Sequence, residues 1–194
     1  MHLPPLIQTA RLTLRPIAAG DRAEFLRVHL TSWATHLGPW SPLPPVQADG
    51  TPDFEAMFAQ ALVRSADGFA SGTACRLLAF DAAGALVGGF NLNNIIRGIF
   101  QNADAGWWVA ADQTRKGYAT EGVAALVRHA LALPPAGLGL HRVQCGIIPR
   151  NAASLAVAAR VGLRREGLAE RYLKINGVWE DHVIFAITAE DLSV

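Results

Sequence analysis

Hydrophobic and polar positions change period several times along this chain of 194 residues, and each change marks an element. The segment LTLRPI at 12–17 alternates and predicts a first strand, with Pro16 near its end or at a sheet edge. Phe25, Leu26, Val28 and His29 recur at helical spacing over 21–29. Thr51 and Pro52 predict the opening of a second helix, Thr51 as cap and Pro52 in the first turn, with Phe54, Met57, Phe58, Ala61 and Leu62 as its apolar face. Strands are expected over 76–80 and 86–96, joined by a turn at 81–84, and over 104–110 after a turn near Gly98. A long helix is expected over 118–133, a buried strand over 143–148, and a helix over 151–160 that Gly162 closes. Two last strands, 170–175 and 178–188, meet at Asn176 and Gly177, a strong hairpin signal. The sum is a mixed α/β (α+β) fold of meander strands with helices at the start, in the middle and near the end. Nothing reads as a linker, so 1–194 is expected to be one domain.

Composition narrows the classes. With 51% hydrophobic and 17% charged residues and a net charge of +1, the chain can bury a core and is not a disordered segment. The charges nearly cancel, so neither nucleic acid nor a membrane surface is an expected partner. Mean hydropathy is positive, +0.23, yet the most apolar stretch, 82–96, is broken by Asn91, Asn93 and Asn94, so no membrane span is expected. The opening MHLPPLIQTARLTLR lacks a basic segment followed by an apolar run; no signal peptide is expected, and the expected compartment is the cytoplasm. Cys75 and Cys145 stand apart with no CxxC, which predicts buried free thiols and no metal site. The charge is uneven: residues 115–174 carry ten basic and three acidic side chains, either a solvated face or a surface for a phosphate-rich ligand.

Four segments are candidates for chemistry. AGWWVA (105–110), ADQTRK (111–116) and GYATE (117–121) form a strand–loop–helix unit. Small residues entering a helix leave several backbone N–H groups pointing one way, either a pyrophosphate cradle or a plain helix cap. The patterns GxxxxGK[ST] and GxGxxG are absent. In PRNAAS (149–154), Asn151 and Ser154 are either local capping groups or hydrogen-bonding groups turned toward a cofactor. In NLNNIIR (91–97), period two places Asn91, Asn93, Ile95 and Arg97 on one face and Leu92, Asn94 and Ile96 on the other. Asparagine is a poor strand former, so this reads as a polar cleft wall more readily than as core. The stretch 38–50, with four prolines, is expected to be an ordered loop or lid; Trp33 and Trp40, which flank residues 36–39, are either a substrate clamp or a hydrophobic plug.

Taken in order, RKGYATE (115–121), HRVQCGIIPRNAAS (141–154) and RVGLRREG (160–167) resemble the Gcn5-related N-acetyltransferases, the GNAT superfamily. HLGPWSP (36–42), NLNNIIRGIFQ (91–101), LHRV (140–143) and EGLAERYLKINGVWEDH (166–182) are similar to its RimJ/RimL group, and within that to the ribosomal-protein S5 alanine N-acetyltransferase type. The likeness runs over 7–192. It implies a single GNAT-like domain: a twisted, mostly antiparallel sheet of about seven strands, splayed in the middle and flanked by about four helices. It implies acetyl-CoA as donor, a primary amine as acceptor and no metal. The family's cradle falls on Thr114, Arg115, Lys116, Gly117, Tyr118 and Ala119, with Thr120 beside it; Thr114 departs from the family's Arg or Gln. Trp108 and Val109 would hold the pantetheine arm, the Val109 N–H facing the acetyl carbonyl. Asn151 would contact the cofactor, and Ser154 would protonate the leaving thiolate. Asp104 is the expected general base, acting through water. Trp40, Asn91, Asn93 and Arg97 are the expected acceptor-binding residues. The resemblance implies direct transfer to an N-terminal alanine or serine of a protein. The alternatives are a small amine as acceptor, or a non-catalytic acetyl-CoA-binding module; the protein would be a monomer or a homodimer.

Overall fold

In the computed structural model, which describes residues 6–192, the alternating segments assemble into one eight-stranded sheet. Its strands are β1 (Ile7–Gln8), β2 (Leu12–Arg15), β3 (Cys75–Asp81), β4 (Leu86–Ile96), β5 (Asn102–Val109), β6 (Arg142–Ile147), β7 (Arg164–Ile175) and β8 (Val178–Thr188), in the order β1-β2-β3-β4-β5-β6-β8-β7. The helices are α1 (Arg22–Ser32), α2 (Phe54–Ser71), α3 (Tyr118–Leu131) and α4 (Ala152–Val161). Every neighbouring pair is antiparallel except β5 and β6. Those two run parallel and pair only from Asn102 to Asp104 against Arg142 to Gln144. Beyond that point no pairing joins them, and the sheet opens there.

Alternation loads both faces. One carries Leu77, Val87, Phe90, Leu92, Val143 and Phe185 against Val123, Leu126 and Val127 of α3 and Val157 of α4. The other carries Leu78, Phe80 and Leu86 against Phe25, Val28 and Phe58 of α1 and α2. Gly122 lets α3 lie close on the sheet: a Cβ there would fall 2.3 Å from the Phe90 ring. Burial drives this packing at roughly 25 cal/mol per Å² of apolar surface.

Several expectations need correction. The sheet has eight strands rather than about seven, because Ile7 and Gln8 pair with Leu14 and Thr13. The penultimate strand begins at Arg164, not 170; its first residues are polar because β7 is a sheet edge, and two register shifts break its alternation. Asp53, not Thr51, caps α2, accepting the Ala56 N–H at 2.9 Å, while Pro52 bridges to Val46. In β4 a bulge at Asn94 (φ +49) shifts the register and turns Ile95 into the core, so Ile95 does not share the face of Asn91 and Asn93. The Asn176–Gly177 turn forms with both residues at positive φ, +51 and +86. Among the described residues no helix is long and apolar enough to cross a membrane.

Candidate active site

A cleft of about 730 Å³ occupies the opening between β5 and β6. Residues 105–109 of β5 and 145–148 on the β6 side form its walls. The starts of α3 and α4, His36 and Trp40 between α1 and α2, and His182 of β8 complete it.

The backbone supplies much of its chemistry. Ala110 donates its N–H to the Val87 carbonyl, in line with the β4–β5 ladder. Hydrogen-bonding direction alternates along a strand, so the peptide groups of Trp107 and Val109 turn away from β4, into the gap. The Val109 carbonyl accepts a hydrogen bond from His36 Nε2 at 3.1 Å, and the Val109 N–H faces the cleft. At the other end, Ala111–Gln113 forms a 3-10 turn, and Arg115 (φ +62) and Gly117 (φ +82) bend the loop into α3. Gly117 caps α3 without any side chain. The first N–H groups of a fourteen-residue helix are therefore open to the cleft at the positive end of the dipole. Arg115 and Arg160 line the same space. Uncapped N–H donors with two guanidinium groups form a donor set that fits a diphosphate.

The expected cradle is therefore one surface, with two differences. The Thr114 hydroxyl donates to the Ala111 carbonyl (3.0 Å) and shapes the loop. Lys116 does not line the cleft; its ammonium donates to Gln113 Oε1 (2.9 Å). Thr114, Arg115, Gly117, Tyr118, Ala119 and Thr120 all line it, as do Trp108 and Val109. Asn151 caps α4, its Oδ1 accepting the Ser154 N–H at 3.1 Å, and still lines the cleft. Ser154 lines it too, and among the described residues its hydroxyl has no hydrogen-bond partner.

Other expected residues lie elsewhere. Asp104 stands at the closed end of the opening, where Gln144 Nε2 and Asn94 Nδ2 donate to its two oxygens, each at 2.8 Å. It does not line the cleft, so it is not brought to the position of a base. Nor do Asn91, Asn93 and Arg97 line it. Arg97 donates to the Leu138 carbonyl (2.6 Å), and Asn93 abuts Gly106 from the neighbouring strand. Trp40 lines the cleft, with the Arg150 guanidinium 5.6 Å from its ring, whereas Trp33 packs against Phe54 as a plug. The Asn176 side chain donates to the Gly38 carbonyl and ties this segment to the β7–β8 turn.

The basic surplus also divides. Arg142, Arg150 and Arg164 are paired with Glu166, Glu180 and Asp191. Of the basic residues in 115–174, Arg115 and Arg160 reach the cleft. The Cys145 thiol is pushed up to about 12, by burial first and then by the nearby Asp104 carboxylate, so it is no nucleophile.

Two residues escaped sequence reasoning. Arg11, far from the loop in the chain, donates to the Lys116 carbonyl (2.8 Å) and to Glu121 (2.7 Å), and lies over the Tyr118 ring. No local pattern announces such a brace. His182 lies within the hairpin segment but carries no motif of its own; only the packing of β8 on β6 brings it to the cleft.

These features, a splayed parallel pair, an uncapped helix start and a second capped helix around one cleft, are those of the GNAT fold. Residues 11–164 match the family described as acetyltransferase (GNAT) domain, and the chain belongs to that family. It is similar to the probable N-acetyltransferase YjcK of Bacillus subtilis, at 41% identity over 55% of this chain and 56% of that protein. It is also similar to the ribosomal protein uS5-alanine N-acetyltransferase of Escherichia coli, at 32% identity over 55% and 53%. The matches span about half the length of these curated relatives. Among solved structures it resembles Mycobacterium smegmatis RimJ in complex with CoA-disulfide, with a TM-score of 0.84 and 31% identity over 94% of this chain and 84% of that one.

Proposed function

We propose that the protein transfers acetyl from acetyl-CoA to a primary amine, and that the amine is the N-terminus of a protein beginning with alanine or serine. The observation that carries the first half is the convergence of the Val109 peptide, the open start of α3, Asn151 and Ser154 on one cleft. Acetyl-CoA would supply an activated acetyl thioester. The α3 N–H groups, Arg115 and Arg160 would bind its phosphates. The Trp107 and Val109 peptides would hold the pantetheine arm as an added strand would be held. The Val109 N–H would stabilise charge developing on the carbonyl oxygen. Asn151 would orient the arm through its amide, and Ser154 would deliver a proton to the departing sulfur. With the Cys145 thiol held at about 12, acetyl passes directly to the amine rather than through an acyl-enzyme.

The charge of the cleft supports that acceptor. The cleft lining includes arginines and histidines but no Asp or Glu. A polyamine needs carboxylates around its second cation, whereas a peptide N-terminus carries one amine and a neutral backbone. The likeness to relatives named for ribosomal-protein alanine acetylation supports the same acceptor. The cytoplasm is the compartment this reading expects. The test is CoA release from acetyl-CoA against a panel of alanine- and serine-starting peptides, polyamines and aminoglycosides. Turnover with the peptides alone is expected; turnover with polyamines alone overturns the acceptor. Tight acetyl-CoA binding with no turnover on the whole panel overturns the enzyme reading in favour of a binding module.

A further inference from the structure

An amine at neutral pH is mostly ammonium and must lose a proton before it can attack. With no carboxylate among the residues lining the cleft, the groups able to accept one there are His36 and His182. Their free nitrogens differ. His36 meets the Val109 carbonyl with Nε2, its outer nitrogen, which therefore carries the proton; the lone pair sits on Nδ1, next to its own backbone. His182 has the opposite arrangement. Its Nδ1 lies 2.9 Å from the Glu180 carbonyl, which only accepts, so Nδ1 carries the proton and Nε2 the lone pair. Among the described residues Nε2 has no hydrogen-bond partner.

The ring is also fixed in place. His182 is 3% exposed, its ring meets Tyr172 of β7 edge-on at 5.6 Å, and it packs against Gly146 of β6, where a Cβ would fall 3.4 Å from it. The carbonyl that holds Nδ1 belongs to Glu180, whose carboxylate is gripped by both Arg150 nitrogens at 2.7 Å; Arg150 in turn lies over Trp40. The charged or titratable groups around the ring are thus Glu180 with Arg150, and Asp181, on its own strand side, Tyr172 on β7, and His36 across the cleft.

We infer that His182 is the general base of the transfer, an assignment that rests on the acetyl-transfer reading above. Nε2 takes one proton from the acceptor ammonium. The nitrogen lone pair so released forms the C–N bond as the C–S bond breaks, and the electron pair leaves on sulfur. The attacking nitrogen's surplus proton passes to sulfur through the Ser154 hydroxyl. His182 then returns its own proton to water, so the sum is amide, thiol and one released proton.

The experiment compares wild type, His182→Gln and His36→Gln, with acetyl-CoA and an alanine-starting peptide. For His182→Gln, kcat at neutral pH should fall roughly 100- to 10,000-fold, the usual contribution of a positioned base. The dissociation constant for acetyl-CoA should stay within about threefold. Its rate should climb toward that of wild type as pH rises through the amine's own pKa, about 8. A loss of constant ratio at every pH, an unchanged kcat, or the pH effect appearing in His36→Gln instead overturns the assignment. Nitrogen-15 spectra of the imidazole in unliganded protein give a readout free of activity: Nδ1 protonated and Nε2 bare is expected, and the reverse tautomer overturns it. If wild type acetylates nothing on the panel, the transfer reading falls and the base with it. Wild-type turnover matched by His182→Gln removes the base alone.

Discussion

Gly117 is the position where the cradle is most directly tested. It sits at φ +82, and a Cβ there would lie 3.3 Å from Arg11 Nη2. Any L side chain at that φ costs about 1–2 kcal/mol of stability. For a domain of this size that lowers Tm by roughly 2–8 °C. Gly117→Ala carries this strain and little else, since its only close neighbour is the end of a flexible side chain; its acetyl-CoA affinity should change less than about fivefold. Gly117→Glu carries the same strain and adds a carboxylate at the mouth of the N–H donors. One like charge roughly 5 Å from a phosphate oxygen, at an effective dielectric near 20, costs about 3 kcal/mol, on the order of 100-fold in the dissociation constant. Calorimetric titration of acetyl-CoA, with thermal unfolding of each variant, separates the two effects. A folded Gly117→Glu variant that binds acetyl-CoA like wild type would refute the placement of the phosphates at α3.

Three further outcomes follow from the same geometry. Ser154→Ala should slow turnover by roughly 10- to 100-fold, at or below the low end of general-acid effects, while acetyl-CoA affinity holds; unchanged rates leave Ser154 as part of the α4 start alone. Arg11→Gln removes a charged hydrogen bond from the Lys116 carbonyl and from Glu121, worth about 1–2 kcal/mol at this half-exposed position, so KM for acetyl-CoA should rise roughly 5- to 30-fold with kcat nearly constant; an equal fall in kcat would show that the brace does not act through the loop. Glu166 is held at about 2, first by the hydrogen bond from Arg142 and then by that from Arg164. Because that lies below its ordinary 4.5, its contribution to stability is complete above pH 4.5 and is lost as pH falls toward 2. Glu166→Gln should flatten stability against pH within that window, and an unaltered acid-unfolding curve argues against the pairing.

Local physics made much of this protein readable from its residues alone. Asn176 and Gly177 announced the last hairpin because few other residue pairs accept two positive φ values in succession. Gly117 and the small residues after it announced an open helix start, and Asn151 a capped one, because those are properties of neighbours in the chain. Long-range arrangement decided the rest. The alternation over 91–97 placed Ile95 beside Asn91 and Asn93, but a single bulge at Asn94 reversed it. Asp104 stood in the right strand for a base, yet the last parallel pair joins it to Gln144 and closes it off from the cleft. Arg11 braces a loop at a carbonyl 105 positions later, and His182 meets the cleft only because β8 lies beside β6. Period and capping report what a segment does with its own backbone. Which side chains share a cleft depends on register and strand order, and those are set by contacts between segments that no local pattern encodes.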